Sequence, residues 1–132
     1  MIKKFILAIC IVFTMAIYSQ TDILPNQTYQ ASVTVGELVY FTGTEWDETD
    51  ATTEAATCST LVGIALGNGQ ILIHGIYRTS GLTVGNYYIS TTAGQYTNTA
   101  PSATNQVVRL IGYALDSKKL FFNPDATWIV VP

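Results

Sequence analysis

The sequence predicts an all-β fold, a small barrel or sandwich built from two copies of a unit of roughly 49 residues. Charged residues make up only 11% of the chain, while threonine, tyrosine, valine, isoleucine and glycine, which favour strands and turns, are frequent. Asn68-Gly69 stands between two apolar runs at 61–66 and 71–73, which is a strong β-hairpin signal. The same pattern returns near the end of the chain, so the hairpin belongs to a repeat.

The repeat has a constant offset of 49 residues. An offset kept over about 40 residues indicates a duplicated unit, and chance similarity between two β-rich segments is the alternative. The matching segments are TVG at 34–36 and 83–85, LVGIAL at 61–66 with LIGYAL at 110–115, and ILI at 71–73 with LFF at 120–122.

The repeat also divides the chain into parts. Residues 34–132 form the predicted β domain, which a polar arm or linker at 20–33 precedes. Gly-containing turns and short polar loops separate the strands within each unit. The domain consists of unit 1 at 34–75, unit 2 at 83–124 and a last strand at 126–131.

Residues 1–19 have the pattern of a secretory signal peptide. Lys3 and Lys4 precede 14 uncharged, mostly apolar residues at 5–18. A membrane span needs about 20 such residues, whereas a signal-peptide core is shorter. We predict cleavage between Ser19 and Gln20, and this ending resembles secretory signals of the Bacteroidota group of bacteria. The alternative is that residues 1–19 are retained as an apolar anchor, the one part that would contact a membrane.

The charge and cysteine content of the remaining chain limit its function. Four basic residues stand against nine acidic ones after residue 19, a formal net charge of −5. Nucleic-acid binding requires a basic surface, so this balance argues against it. Cys58 is the one cysteine left, so no disulfide forms within the chain. Its side chain is either a small, partly buried group or a link between subunits.

Five glycines are predicted to have structural roles. Gly63 and Gly112 lie inside apolar runs, where glycine marks a bulge, a bend or the close approach of another backbone. The other three open a strand or form a turn: Gly36, Gly69 and Gly85.

Consecutive apolar residues in the hairpins predict self-association. Such runs direct apolar side chains to both faces of a strand. A domain of about 110 residues has little interior in which to bury both faces of so many strands. We therefore expect part of this surface to lie between the subunits of a homo-oligomer, with a homotrimer favoured.

The sequence predicts no catalytic, cofactor or metal site. No paired acid and base and no nucleophile motif is found, and His74 is the single histidine. Asp47 and Asp50 are weak calcium candidates in an acidic stretch that does not have the calcium-loop pattern. A solvated acidic loop is the alternative interpretation.

Aromatic residues are the remaining candidates for a binding surface. Trp46, Tyr77 and Tyr96 are predicted to present aromatic faces to a ligand such as a glycan. Packing in the core or in a subunit interface is the default interpretation against which this surface is weighed, because aromatic side chains bury large apolar areas.

The second unit resembles a known module. The residues that carry the resemblance are Gly85, STTAG at 90–94, VRLIGYA at 108–114, LFFNPD at 120–125 and Trp128. They resemble a β-structured module of tailed-bacteriophage virion proteins of the tail fibre, head fibre or decoration type. The first unit resembles it more loosely.

Two functions follow as expectations. The resemblance implies a non-enzymatic structural protein of the virion, trimeric and without cofactors, that acts in assembly or surface attachment. Its partners would be copies of itself, other virion proteins or a host-surface glycan. The secretory signal favours a second hypothesis, an exported bacterial surface or secreted binding module with glycans among its candidate ligands.

Overall fold

The structure, a computed structural model, describes residues 21–55 and 60–132. Every named element of these residues is a strand, which confirms the all-β prediction. The predicted signal or anchor segment and Cys58 lie outside the described residues. The strands are β1 Asp22–Leu24, β2 Leu38–Phe41, β3 Trp46–Glu48, β4 Val62–Gly67, β5 Gln70–Arg78, β6 Gly85–Ile89, β7 Tyr96–Thr97, β8 Val107–Val108, β9 Leu110–Asp116, β10 Lys119–Phe122 and β11 Ile129–Val130.

Nine strands form one sheet that curls into a half-barrel. Its order is β3-β2-β4-β5-β10-β9-β6-β7, with β1 paired to β5, while β8 and β11 form a second, two-stranded sheet. The order places the two predicted units side by side, because β3, β2, β4 and β5 occupy the same positions in one half as β7, β6, β9 and β10 in the other.

Strand β5 joins the two halves. Its first part pairs with β4 and with β1, and its last part, residues 75–78, pairs with β10 in antiparallel register. Ile76 lies opposite Phe121 in that pairing. Each half therefore has the same extra strand beside its hairpin, supplied by β1 in the first half and by the end of β5 in the second.

The first hairpin turns at the predicted residues. Asn68 and Gly69 have φ angles of 52° and 69°. Positive φ at both central residues is the geometry of the tight turn that matches the twist of paired strands. The turn of the second hairpin, between β9 and β10, is Ser117-Lys118 instead.

The strand pairing of the second hairpin does not follow the constant 49-residue offset of the sequence repeat. Leu38 pairs with Ile64, whereas Tyr87, 49 residues after Leu38, pairs with Gly112. Ile64 and Gly112 are thus equivalent positions, although they are 48 residues apart.

The other strand of the hairpin is shifted in the opposite direction. Ile64 pairs with Leu72 and Gly112 pairs with Phe122, so the equivalent residues on β5 and β10 are 50 residues apart. A shift of one residue moves every side chain of a strand to the other face. Residues that match at an offset of 49 in the hairpins therefore face opposite sides of the sheet.

Two hydrophobic cores lie on opposite faces of the first half. The larger core is shared by both halves and consists of Leu38, Ala51, Ile64, Leu72, Leu82, Tyr87, Ile89, Ile111, Ala114, Leu120 and Phe122. The smaller core contains Val39, Trp46, Ala65 and Ile71 and lies under the N-terminal segment.

Residues 21–33 of the segment expected to be a polar arm are part of the fold. They contribute β1, and Tyr29 forms a parallel bridge to Trp46. Leu24, Tyr29 and Val33 pack against the smaller core. These three residues are spaced irregularly along a mostly polar stretch. Together they cover the smaller core, although their spacing has no strand or helix period from which this could be predicted.

This cover explains the consecutive apolar residues of the first hairpin. Ile71 packs in the smaller core and Leu72 in the larger one, and both are buried. Both faces of the strand are therefore buried within a single chain. The apolar runs of this hairpin no longer require a subunit interface.

Gly63 and Gly112 are positions of close approach. A Cβ atom on Gly63 would lie 2.3 Å from Cγ2 of Ile71, and one on Gly112 would lie 2.2 Å from the carbonyl oxygen of Phe121. No side chain fits at either position without movement of the neighbouring strand. The three other predicted glycines have positive φ angles: Gly36, Gly69 and Gly85.

Candidate functional site

The candidate site is a row of side chains across four strands of the second half. Ile76 on β5 pairs with Phe121 on β10, which pairs with Tyr113 on β9, which pairs with Asn86 on β6. Residues directly opposite each other in neighbouring strands share a face of the sheet. We call the face that carries this row the open face. The other face of the same strands packs on the larger core through Leu120 and Phe122.

The open face exposes a continuous apolar surface. Ile76 is 38% exposed and Tyr113 is 44% exposed, and Phe121 between them is half-buried. Leu115, two residues after Tyr113 on β9, is 52% exposed. The ring of His74 meets the ring of Phe121 edge to face, with 5.6 Å between the ring centroids. Single exposed apolar residues are normal, but adjoining ones on one face of a sheet mark an interaction surface.

The equivalent row in the first half is covered. There, Leu24 pairs with Ile71, which pairs with Ala65, and the amide of Ala65 donates a hydrogen bond to the carbonyl oxygen of Glu37. Ile71 and Ala65 have no exposed surface. Tyr29 packs over this row, and its hydroxyl donates to the carbonyl oxygen of Gln70.

A difference in loop length leaves the second row open. Thirteen residues, 25–37, connect β1 to β2 in the first half, and they cross the face that corresponds to the open face of the second half. Only six residues, 79–84, connect β5 to β6 in the second half. Six residues suffice to join these strands but not to cover the sheet. The two halves therefore share a fold and differ in whether this face is accessible.

Charged residues lie at opposite ends of the open face. Arg78 and Lys119 are paired in the ladder two residues beyond Ile76 and Phe121, and Nζ of Lys119 lies 3.3 Å from Oδ2 of Asp116. At the other end, Nδ1 of His74 lies 3.7 Å from Oδ2 of Asp22. The Lys118 amide and Lys119 hold the pKa of the Asp116 carboxyl below its usual value.

The predicted aromatic surface is not formed by the residues proposed for it. Trp46 is only 1% exposed, and its Nε1 donates to Oε1 of Gln27 at 2.9 Å, so it is a core residue. Tyr77 and Tyr96 pack against the larger core and are half-buried. Burial raises the pKa of the Tyr96 phenol. Because aromatic and apolar residues follow one another without alternation, the sequence pattern does not show which of these side chains face outwards.

Phe121 and Ile76 are the site residues that the sequence did not single out. Whether these two side chains lie on the open face depends on the one-residue shifts of the second hairpin. It also depends on the residue at which β5 stops pairing with the first half and begins to pair with β10. The sequence carries no local signal for either event. Tyr113 is one of the eight tyrosines, and nothing in its neighbourhood distinguishes it from those in the core.

The carboxylates of the weak calcium candidates accept hydrogen bonds from residues that closely follow them in the chain. Oδ1 of Asp50 accepts hydrogen bonds from the amide and the hydroxyl of Thr52, and Oδ1 of Asp47 accepts one from the amide of Glu48. Within residues 21–55 and 60–132, no three His, Cys, Asp or Glu side chains are grouped as metal ligands would be. Burial, with the charges of Glu37 and Asp47, raises the pKa of the Glu48 carboxyl.

Arg109 is a buried structural residue. Its Nε donates to the carbonyl oxygen of Asp125 at 2.9 Å, and its Nη1 donates to that of Thr60 at 3.3 Å. Its guanidinium also lies over the ring of Trp128, 6.0 Å from the ring centroid. Arg109 thus joins the C-terminal segment to the loop before β4.

No helix in the described part of the chain is long and apolar enough to span a membrane. Comparisons of the chain with protein families, with curated proteins and with solved structures give no match.

Proposed function

We propose that the protein is a non-enzymatic structural protein, a virion-type fibre or decoration subunit that acts in assembly or surface attachment. The observation that supports this proposal is the open face. It lies in the second unit, the part of the chain that carries the resemblance to virion modules. The sheet presents Ile76, Phe121 and Tyr113 side by side, and in the first half the counterparts of Phe121 and Tyr113 are fully buried.

The open face suits binding better than chemistry. A row of apolar side chains contributes affinity through the area that it removes from water, about 25 cal/mol for each Å². Its ends carry charges that orient a partner. Copies of the chain, other virion proteins and a host-surface glycan are the partners that this role requires, and the virion is the proposed location.

A second candidate is an exported bacterial surface or secreted binding module. The observation that favours it is the position of β1, which begins at Asp22, three residues beyond Ser19 of the predicted cleavage site. Cleavage there would remove none of the described strands. In this case the open face would bind its ligand, with a glycan as a candidate, outside the cell.

The state of the native protein distinguishes the two candidates. Culture supernatant is fractionated on a density gradient, and the intact mass of the protein in each fraction is measured. A virion subunit is expected to sediment with particles and to stay with them through repeated gradients. Protein that starts near Gln20 and remains in the particle-free fraction would overturn the virion proposal and support the secreted module.

A further inference from the structure

The open face has opposite charges at its two ends. Along β5, Arg78 lies two residues to one side of Ile76, and His74 lies two residues to the other side. Arg78 and Lys119 occupy the first end together with Asp116, whose Oδ2 lies 3.3 Å from Nζ of Lys119, so this end carries a formal net charge of +1. Asp22, paired with His74 in the ladder, occupies the second. At about 3.3 Å for each residue, the two ends are roughly 13 Å apart, with the apolar row halfway between them.

We propose that a second copy of this chain packs on the open face, related by a two-fold axis that runs along the row of Ile76, Phe121 and Tyr113. Rotation about this axis brings each residue of the row against its own counterpart. It also reverses the direction along the strands, so that Arg78 and Lys119 meet Asp22 of the partner subunit. The apolar row then lies between two charge-complementary contacts.

The positions across the sheet agree with this arrangement. Strand β1 pairs with the same edge of β5 as β10 does, one after the other along that edge. Asp22 and Lys119 are therefore both one strand away from β5, at opposite ends of the face. The rotation preserves the position across the strands, so Asp22 of the partner subunit lies over Lys119 and beside Arg78.

Charge pairing within the chain leaves room for these contacts. Asp22 has a 68% exposed side chain, and its partner within the chain is His74 at 3.7 Å. Among the described residues, Arg78 takes part in no salt bridge. The two groups that the rotation brings together are thus an exposed carboxylate and an exposed guanidinium.

The proposed contact is isologous, and this determines the stoichiometry. A surface that contacts its own copy about a two-fold axis is fully occupied in a dimer and cannot bind a third subunit. A trimer needs two different complementary surfaces on each subunit. The open face is one surface that is complementary to itself. A dimer is therefore expected where the sequence favoured a trimer, and this dimer rests on the assembly role proposed above.

The contact is expected to be weak. Four strands about 4.8 Å apart and a length of roughly 13 Å give a central area far below the about 800 Å² for each partner of a standard interface. We expect a dissociation constant on the order of tens to hundreds of micromolar for the isolated protein. In an assembly with many copies, such a contact would be reinforced by its neighbours.

Sedimentation equilibrium tests the proposal on the chain as recovered from expressing cells, with its N-terminus established by intact mass. We expect a monomer–dimer equilibrium for the unmodified protein. Tyr113→Arg places like charges against each other on the axis, and Arg78→Glu and Asp22→Lys each create two repulsive contacts. Each of the three changes should weaken the dimer at least about tenfold. Circular dichroism checks that each variant is folded, since all three side chains are exposed.

Mixing two variants gives the sharper test. In a heterodimer of the Arg78→Glu and Asp22→Lys chains, one end keeps the original contact of Asp22 with Arg78 and Lys119, and at the other end the new glutamate and lysine attract each other beside the unchanged Lys119. The equimolar mixture should therefore dimerise more strongly than either variant alone. Ile129→Lys is the matched control, since it charges an exposed aliphatic residue of the small second sheet and should leave the dimer unchanged.

Four results would overturn the inference: a monomer at about 500 µM, on the order of the weakest dissociation constant expected, a trimer, no recovery in the mixture, or a loss of dimer with Ile129→Lys. A dimer that fails these tests while the protein still sediments with particles would reject the self-contact and leave the virion role standing. Protein found free of particles that still passes them would reject the virion role and leave the dimer standing.

Discussion

Gly112→Ala is expected to be among the most damaging single-methyl additions in this protein. Gly112 lies in β9 opposite Phe122, and the added Cβ would lie 2.2 Å from the carbonyl oxygen of Phe121 and 3.2 Å from Cα of Phe122. The first distance is about 1 Å shorter than a carbon–oxygen contact permits. The obstacle is backbone, so β10 itself has to move away from β9.

The cost follows from what that movement disturbs. Insertion of a methyl group into a packed region costs about 1–3 kcal/mol. A displaced β10 also weakens ladder hydrogen bonds, each worth about 1 kcal/mol. It carries the fully buried Phe122 with it. We expect a loss of about 3–4 kcal/mol in the free energy of unfolding, a large fraction of the about 5–15 kcal/mol that holds a domain together.

Urea unfolding followed by tryptophan fluorescence measures this loss. With a slope of about 2 kcal/mol per molar urea, in the middle of the range for small proteins, the midpoint should fall by roughly 1.5–2 M. Gly81→Ala is the control: its Cβ would meet nothing within 4 Å, and its φ of +75° costs only about 1–2 kcal/mol. A Gly112→Ala protein that is no less stable than the Gly81→Ala protein would refute the close approach of the two strands.

Three further predictions concern single side chains. Arg109→Ala is expected to lower the free energy of unfolding by about 3 kcal/mol, because its buried guanidinium donates two charge-assisted hydrogen bonds; a loss below about 1 kcal/mol in urea unfolding would contradict this joining role. Since burial raises the pKa of Tyr96 above the ordinary 10.0, the neutral phenol stabilises the fold below that pH and the contribution disappears as the pH rises through the raised value. Tyr96→Phe should therefore reduce the alkaline decline in Tm, and an unchanged decline would count against the burial. Trp128→Phe leaves buried Trp46 as the one tryptophan, so iodide should hardly quench the remaining emission, whereas strong quenching would place Trp46 at the surface.

The open face illustrates why an exposed patch is informative in a repeated fold. The first half provides an internal reference, because Ile71 and Ala65 of the equivalent row are fully buried there under residues 25–37. The shorter connection at 79–84 is what exposes the second row. The contrast depends on two connections of one chain and requires no relative for comparison.

The sequence by itself determined the strand character, the turn at Asn68-Gly69 and the presence of two hairpins. These depend on local preferences, namely β-branched and aromatic residues for strands and positive φ for Asn and Gly. The close-packed roles of Gly63 and Gly112 were also accessible, since glycine weakens the interior of a strand and is found there mainly where a bulge, a bend or a close backbone requires it.

Only the tertiary structure decided which side chains face outwards. Phe121 and Leu72 match at the constant offset, yet Leu72 lies in the larger core and Phe121 lies on the open face. They lie on opposite faces because each strand of the second hairpin is shifted by one residue. That shift is determined by pairing with strands that are distant in the sequence. The sequence could not decide between surface and core for Trp46 for the same reason: its burial depends on Gln27 and Tyr29, which reach it from a segment that has no strand pattern of its own. Local residue preferences determine which segments form strands and turns. Which side chains face outwards, and which are covered, depends on contacts between segments that are distant in the sequence.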